Sequence, residues 1–279
     1  MKQPDISVII PTIGRRTLVT VLERIQVSQQ FAPQISAEII VVCDDDISVS
    51  LPENVQIEKT PKKRSGAATA RNIGVQKSSG RIIIFLGDDI FVSSHFLQQT
   101  FDFHENTAEN FALIGKIDWV PVLKKNPFCA WLSAHAQFDF SALDNKKKPD
   151  WRHAYTAQIS LKKSFAQREI FDEDFSGWGF EDSEWAYRLE KNHGLRIYYD
   201  KNLVVLHDHF QTEEALVEKT KSAARNAEIF ERKHPEFPLK PRGVKLLTLQ
   251  TLIFFAQIFS RFSPKIRWWY LWKKAWIEG

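Results

Sequence analysis

Arg81-Ile82-Ile83-Ile84-Phe85-Leu86-Gly87-Asp88-Asp89 is an unbroken apolar run that stops at a glycine and two adjacent carboxylates. A continuous β-branched run of this length reads as a strand buried on both faces, the mark of a parallel sheet. The stretches before it repeat the pattern. Ile6-Ser7-Val8-Ile9-Ile10 and Glu38-Ile39-Ile40-Val41-Val42-Cys43 are two further strands, residues 54–59 a weaker one, and residues 16–29 and 65–76 are helices between them. This alternation predicts an α/β fold: a Rossmann-like, mostly parallel central sheet with helices on both faces.

In such sheets ligands sit beyond the carboxyl ends of the strands. Those positions hold Pro11-Thr12, Asp44-Asp45-Asp46 and Gly87-Asp88-Asp89. Acidic strand ends suit a hard divalent cation with phosphate oxygens on its far side. Asp88 and Asp89 repel each other unless a cation or hydrogen-bond donors compensate them; alternatively one of them caps a helix starting near Ser93. The loop Pro11-Thr12-Ile13-Gly14-Arg15-Arg16 carries neither GxxxxGK nor GxGxxG, which argues against adenylate chemistry of those kinds.

Beyond residue 90 the alternation weakens. Residues 93–106 read as helix and 111–120 as strand. Residues 124–148 are a mixed stretch ending in the solvated run Lys146-Lys147-Lys148. Residues 154–161 are a further strand, 181–192 a helix stopped at Gly194, and 195–206 one or two strands. Glu181-Asp182 follows Gly177-Trp178-Gly179-Phe180, and a glycine turn that presents an indole beside an acid suits a sugar platform with a base next to it. The helix dipole alone also favours acids in a first turn, by about 0.3–1 kcal/mol each. His207 and His209 lie two apart at a strand end and so face one side, as metal ligands or as structural histidines. Arg64 or Arg71, flanking or within a helix of small residues, pairs with phosphate unless both are surface charges.

Composition narrows the function classes. The 279 residues suffice for one large or two closely packed domains, and Cys43 and Cys129 are too few and too distant for a disulfide framework or a thiolate zinc site. A reducing cytoplasm is the expected home. The net charge of +4 resides in the tail: residues 239–279 hold eight Lys/Arg against one Glu, and the remainder is slightly acidic. A basic folded face for nucleic acid is therefore not expected. No signal-peptide core precedes Pro11. In the tail the longest apolar run, Leu252-Ile253-Phe254-Phe255-Ala256, is too short to span a bilayer. On a helix, Gln250, Gln257 and Arg261 cluster within about 40°, leaving a broad apolar face. After Pro264, Trp268, Trp269, Tyr270, Trp272 and Trp276 mix with Arg267, Lys273 and Lys274, as an anchor in an anionic membrane surface requires. The alternative is a helical hairpin packed on the rest of the chain or on a second subunit.

Six stretches together resemble a family 2 glycosyltransferase of the GT-A class: Ser7-Val8-Ile9-Ile10-Pro11-Thr12, Ile40-Val41-Val42-Cys43-Asp44-Asp45, Ala70-Arg71-Asn72-Ile73-Gly74, Phe85-Leu86-Gly87-Asp88-Asp89, Phe171-Asp172-Glu173, and Gly177-Trp178-Gly179-Phe180-Glu181-Asp182 with Arg188-Leu189. They run from residue 6 to about 210 in the family's order and spacing. The resemblance implies an inverting, metal-dependent transfer from a nucleotide-diphosphate sugar, UDP-sugar foremost, to a glycan or lipid-linked glycan. It implies that Pro11, Thr12, Asp44 and Arg71 line the nucleotide pocket, that Asp88 contacts ribose or sugar, and that Asp89 and His207 hold Mn2+ or Mg2+. Asp182 stands as general base, Glu181 as a sugar or acceptor-hydroxyl ligand, and Trp178 on the acceptor side.

The expected organisation is a donor half at 1–110, an acceptor and catalytic half at 111–238, and a basic, Trp-rich tail at 239–279. The tail docks the enzyme on the inner face of the cell membrane through residues 244–279. Two positions depart from the family pattern: Gly87 replaces a common aspartate, and Phe180 replaces a glycine. A decayed site that only binds nucleotide-sugar or glycan is the alternative reading. A sugar nucleotidyltransferase is a weaker one, because no glycine-rich loop bearing Lys/Arg follows the first strand.

Overall fold

The computed structural model describes residues 3–46, 51–52, 54–138, 140–145 and 148–279. The N-terminal half reads β1 (Ile6–Thr12), α1 (Thr17–Phe31), β2 (Ala37–Cys43), β3 (Val55–Lys59), α2 (Ala67–Lys77), β4 (Ile82–Leu86), β5 (Ile90–Phe91) and α3 (Phe96–Glu105). Then come β6 (Phe111–Trp119), the short helices α4 (Pro121–Lys124), α5 (Pro127–His135) and α6 (Phe140–Asp144), β7 (Gln158–Lys162), α7 (Lys163–Ala166), α8 (Glu181–His193), β8 (Arg196–His207) and α9 (Glu213–Lys233). The tail forms α10 (Val244–Phe259) and α11 (Pro264–Glu278). Lys146 and Lys147 of the expected lysine loop lie outside the described residues.

One sheet joins all the strands in the order β3-β2-β1-β4-β7-β6-β8-β5. The pairings β3-β2, β2-β1, β1-β4 and β6-β8 are parallel, as the unbroken apolar runs require, and β4 is fully buried. The second half departs from simple alternation: β7 enters antiparallel between β4 and β6, and the two-residue β5 pairs antiparallel with the end of β8. That last pairing sets His207 opposite Ile90, while the β6-β8 register sets it opposite Trp119. The residue after β4 and the end of β8 are thereby brought side by side. Residues 195–206 form one strand rather than two.

Close packing fixes α2 on the sheet. A Cβ on Gly74 would stand 2.2 Å from Cγ2 of Ile9, a fully buried β-branched side chain with little rotamer freedom. Below the site, Trp185 of α8 stacks on Phe171 at 4.5 Å and meets Phe85 of β4 edge-on at 5.7 Å. α8 stops at Gly194 in the left-handed conformation, φ +70°.

The tail divides into two different surfaces. α11 lies on α9 with Trp268 only 8% exposed, packed with Phe128 and Trp131 of α5 and Leu216 of α9. The Trp268 indole donates to Glu213 (3.0 Å), and Arg267 pairs with the same carboxylate at 2.7 Å. Trp268 therefore faces protein, as in the hairpin alternative. α10 buries only Ile253 and Ala256 and leaves Leu247, Phe254, Phe255, Ile258 and Phe259 exposed. Among the described residues, no helix is long and apolar enough to cross a membrane.

The Gly74 contact yields a stability prediction. Alanine favours a helix over glycine by about 0.8–1 kcal/mol, whereas overpacking a core costs about 1–3 kcal/mol. Gly74→Ala is expected to lower the urea-unfolding free energy by about 1 kcal/mol; an unchanged or raised midpoint contradicts the packing described.

Candidate functional site

A cavity of about 500 Å3 opens at the carboxyl ends of β1 and β4. Pro11 and Arg15 line it from the first loop, Gly87, Asp88 and Asp89 from the turn between β4 and β5, and His207 from the end of β8. Its other walls are Arg71 of α2, Tyr155 and Thr156 before β7, the loop Gly177 to Phe180, and Glu181 and Asp182 in the first turn of α8.

The two adjacent aspartates are compensated in different ways. Asp88 does not cap α3, whose N-cap position is His95. Its carboxylate accepts a 2.6 Å hydrogen bond from Thr12 Oγ1 and lies 3.2 Å from Arg15 Nε, while its carbonyl accepts from Thr17 (2.8 Å). Burial, and then the charge of Asp89, push Asp88 up to about 6 against the opposing pull of Arg15 and Thr12. Asp89 experiences the same burial, but the hydrogen bond and charge of His207, and then Arg15, outweigh it and hold its carboxyl below the usual value. Asp89 Oδ2 has His207 Nε2 at 3.5 Å, His209 Nδ1 at 3.6 Å and Arg15 Nη1 at 3.5 Å. Arg15 also contacts the His209 ring. Burial and the Arg15 charge lower His209 to about 4, so it is neutral at physiological pH. His207 stacks on Trp119 at 4.8 Å, which fixes its ring.

Gly87 shows why the acidic cluster is shortened here. A Cβ at that position would stand 3.0 Å from Asp89 Oδ1 and 3.0 Å from Ile90 Cγ1, so an aspartate would crowd the carboxylate beside it.

The second acidic pair sits on α8. Glu181 Oε1 receives Arg71 Nη1 at 3.0 Å in a buried ion pair, while Glu181 Oε2 and Arg71 Nε have no hydrogen-bond partner among the described residues. Both atoms are themselves buried, so the ion pair beside the cavity carries one unmatched acceptor and one unmatched donor. Asp182 Oδ1 accepts from the Ser183 N–H (2.8 Å), and Oδ2 lies 3.5 Å from Thr156 Oγ1. Burial, and then the neighbouring Glu181 charge, push Asp182 up to about 6, with Arg71 opposing.

The loop before α8 is moulded onto α9. Asn226 Nδ2 donates to the carbonyls of Gly179 (2.7 Å) and Ser176 (3.0 Å), and Trp178 N–H donates to Ser222 Oγ (2.8 Å). Gly177, at φ +79°, has no room for a side chain: its Cβ would stand 2.5 Å from Ser222 Oγ. Phe180 adopts the left-handed conformation, φ +71°, which a glycine takes without strain and another L-residue at about 1–2 kcal/mol. Its ring packs near Phe230 (5.8 Å) and Trp276 of α11 (6.3 Å), contacts that offset the strain and narrow the cavity.

Of the residues singled out in the sequence, Pro11, Arg71, Asp88, Asp89, Trp178, Glu181, Asp182 and His207 line this one cavity, and His209 contacts Asp89. Thr12 and Asp44 are not on its wall. Thr12 supports Asp88 from behind and receives the Gly14 N–H (2.9 Å). Asp44 is spent within its own loop, accepting from Thr60 (2.9 Å) and from the N–H groups of Ser65 (2.7 Å) and Gly66 (2.9 Å) at the start of α2. Arg64 is exposed, so Arg71 is the arginine held at the site. Sequence reasoning missed Arg15, Thr156 and Lys219. Arg15 sat in a loop read only for absent glycines. Lys219 lies on α9, where nothing but the helix period marks which lysine faces inward.

Among the described residues no group of three or more His, Cys, Asp or Glu forms a ready metal cage. Asp89 and His207 supply a carboxylate oxygen and an imidazole nitrogen of the kinds a divalent cation takes, although Arg15 Nη1 already lies 3.5 Å from the same Asp89 oxygen.

The chain is 26% identical over 263 residues to the validoxylamine A glucosyltransferase of Streptomyces hygroscopicus subsp. limoneus, covering 83% of the chain and 57% of that protein. The protein of the same name from S. hygroscopicus subsp. jinggangensis is also 26% identical, with 61% of its length covered. The chain therefore spans about three fifths of these relatives. Among solved structures, the mannosyltransferase PcManGT of Pyrobaculum calidifontis, in complex with GDP-Man and Mn2+, superposes with a TM-score of 0.60 at 13% identity over 99% of this chain and 86% of that one. S. aureus TarS 1-349 in complex with UDP superposes with a TM-score of 0.53 at 16% identity over 93% of this chain and 72% of that one. These likenesses establish the GT-A fold expected from the sequence. The family model for glycosyl transferase family 2 matches residues 7–166, more than half of the chain, and the protein belongs to that family.

Proposed function

We propose that the protein is a metal-dependent, inverting glycosyltransferase that moves a sugar from a nucleotide-diphosphate donor to a glycan or lipid-linked glycan acceptor. The observation that carries the reading is that Asp89 beside His207, and Glu181 beside Asp182, line one cavity although they come from distant parts of the chain. UDP-sugar is the first donor to try, with GDP-sugar next, since the solved neighbours bind UDP and GDP-Man. In this reading residues 1–110 hold the donor and 111–238 hold the acceptor and the base.

Each residue has a role that its surroundings support. Pro11 and Arg71 border the donor, Asp88 meets ribose or sugar, and Thr12 and Asp44 shape the loops around them. Asp89 and His207 would hold Mn2+ or Mg2+, and the imidazole favours Mn2+. The bound ion would neutralise charge on the departing diphosphate. The acceptor hydroxyl attacks the anomeric carbon, the bond to the diphosphate breaks on the opposite face, and the hydroxyl proton passes to Asp182. Asp182 suits that transfer because it lines the cavity and burial pushes its carboxyl up to about 6. A general base so placed contributes about 10²–10⁴ in rate. Glu181, which lines the same cavity, meets a sugar or acceptor hydroxyl.

We further propose that α10 rests on an anionic membrane surface, on the cytoplasmic face. Phe254 is 60% and Phe262 74% exposed, and the exposed Lys245, Arg261 and Lys265 flank this apolar face. The inward turn of Trp268 shifts the lipid contact expected of the tryptophans to α10.

Three measurements test these statements. In a donor screen with Mn2+, Asp89→Asn and Asp182→Asn each lower transfer by about 10²-fold or more, with Asp182→Asn retaining donor binding by thermal shift; full activity in both variants refutes the assignments. Because only ionised Asp182 accepts a proton, kcat/KM falls about tenfold per pH unit below about 6 and is level above it; a level profile down to pH 5 contradicts a base raised by burial and by Glu181. The protein co-sediments with equimolar phosphatidylglycerol and phosphatidylcholine vesicles, less at high salt, and Phe254→Ser with Ile258→Ser abolishes this; equal sedimentation of both forms removes α10 from the interface.

A further inference from the structure

A second cavity, of about 410 Å3, adjoins the first and shares Trp178, Phe180 and Lys219 with it. Its remaining walls are largely apolar: Leu132 of α5, Leu216 of α9, and Trp272 and Trp276 of α11. Two lysines, Lys219 at the neck and Lys273 on α11, also line it. Neither has a carboxylate within 4 Å among the described residues. They are held instead against aromatic rings, Lys273 Nζ 3.4 Å from the Trp272 centroid and Lys219 Nζ 5.9 Å from that of Trp178. Burial, and then the charge of Arg15, lower Lys219 to about 8, and burial alone lowers Lys273. Two part-buried ammonium groups with no ion-pair partner among the described residues, set in an aromatic cavity, complement a ligand with negative charge on an apolar body.

We propose that this side cavity is the acceptor subsite and that it takes an anionic amphiphile, an apolar group bearing a phosphate, with its hydroxyl-bearing head directed into the main cavity. The proposal rests on the glycosyltransferase reading and adds the acceptor's chemical class. It also gives α11 a role: the tail's inner face, through Trp272, Lys273 and Trp276, forms one wall of the subsite, and α10 on its outer side faces the lipid from which such an acceptor would be drawn.

Calorimetric titration with octyl β-glucoside 6-phosphate and uncharged octyl β-glucoside, both below their micelle concentrations, tests it on the full chain. The phosphate probe is expected to bind about tenfold more tightly, the scale of one charge-assisted hydrogen bond. Lys219→Gln and Lys273→Gln each remove much of that preference and leave the neutral probe unchanged. Lys219→Arg, which keeps the charge, retains the preference, and Trp276→Ala weakens both probes. Equal affinity for the two probes in the native protein overturns the proposal, as does loss of the preference in Lys219→Arg. If Lys219→Gln weakens UDP with Mn2+ rather than the phosphate probe, Lys219 belongs to the donor's diphosphate and the proposal also fails. Nucleotide-sugar titration of the same samples separates the two levels: donor turnover without a charge preference sinks only the subsite, and no donor binding at all sinks the glycosyltransferase reading with it.

Discussion

Two adjacent carboxylates at the end of a buried strand are the constraint around which this site is built. Asp88 and Asp89 cannot both be ionised in a largely buried position without positive charge or donors nearby. The chain meets that demand with groups from two distant segments: Thr12 at the end of β1 with Arg15 just beyond it, and His207 at the end of β8. Each requires a particular sheet neighbour. β1 must lie beside β4, and β5 must pair with β8, for these contacts to exist. The site is therefore a consequence of strand order, and the unequal environments leave one aspartate raised to about 6 and the other ionised.

A similar division occurs on α8. Glu181 is committed to Arg71, while Asp182 is pushed up to about 6 by burial and by its neighbour's charge. The glycines at 177 and 179 set this helix against α9, and Phe180 occupies a backbone conformation better suited to glycine. Strain at that position persists because the ring is held near Phe230 and Trp276. The entry to α8 and the C-terminal helices are thus mechanically linked.

Much of this was legible in the sequence because parallel strands advertise themselves. Ile82 to Leu86 and Ile6 to Ile10 are apolar on both faces, so their boundaries and the acids that follow them could be read directly. The two-residue β5 has too few positions to show any period, yet it is the pairing that brings His207 to Asp89. Arg15 and Lys219 were missed for a related reason. A cation's partner is set by tertiary register, and nothing local distinguishes Arg15 from Arg16. The place of Asp44 after β2 marks it as a site residue, and its carboxylate also accepts from the N–H groups of Ser65 and Gly66 at the start of α2. In the tail, the Trp and Lys/Arg pattern is the same for a membrane anchor and for a helix packed on protein. For Trp268, the contact with α5 and α9 sets the indole against protein.

The most direct test is a crystal structure with Mn2+ and a non-transferable nucleotide-sugar analogue, with the metal located by anomalous scattering. An anomalous peak at Asp89 and His207, with the sugar's anomeric carbon between that metal and Asp182, is the predicted result. Metal bound away from Asp89, or a sugar ring turned away from Asp182, would contradict the arrangement described.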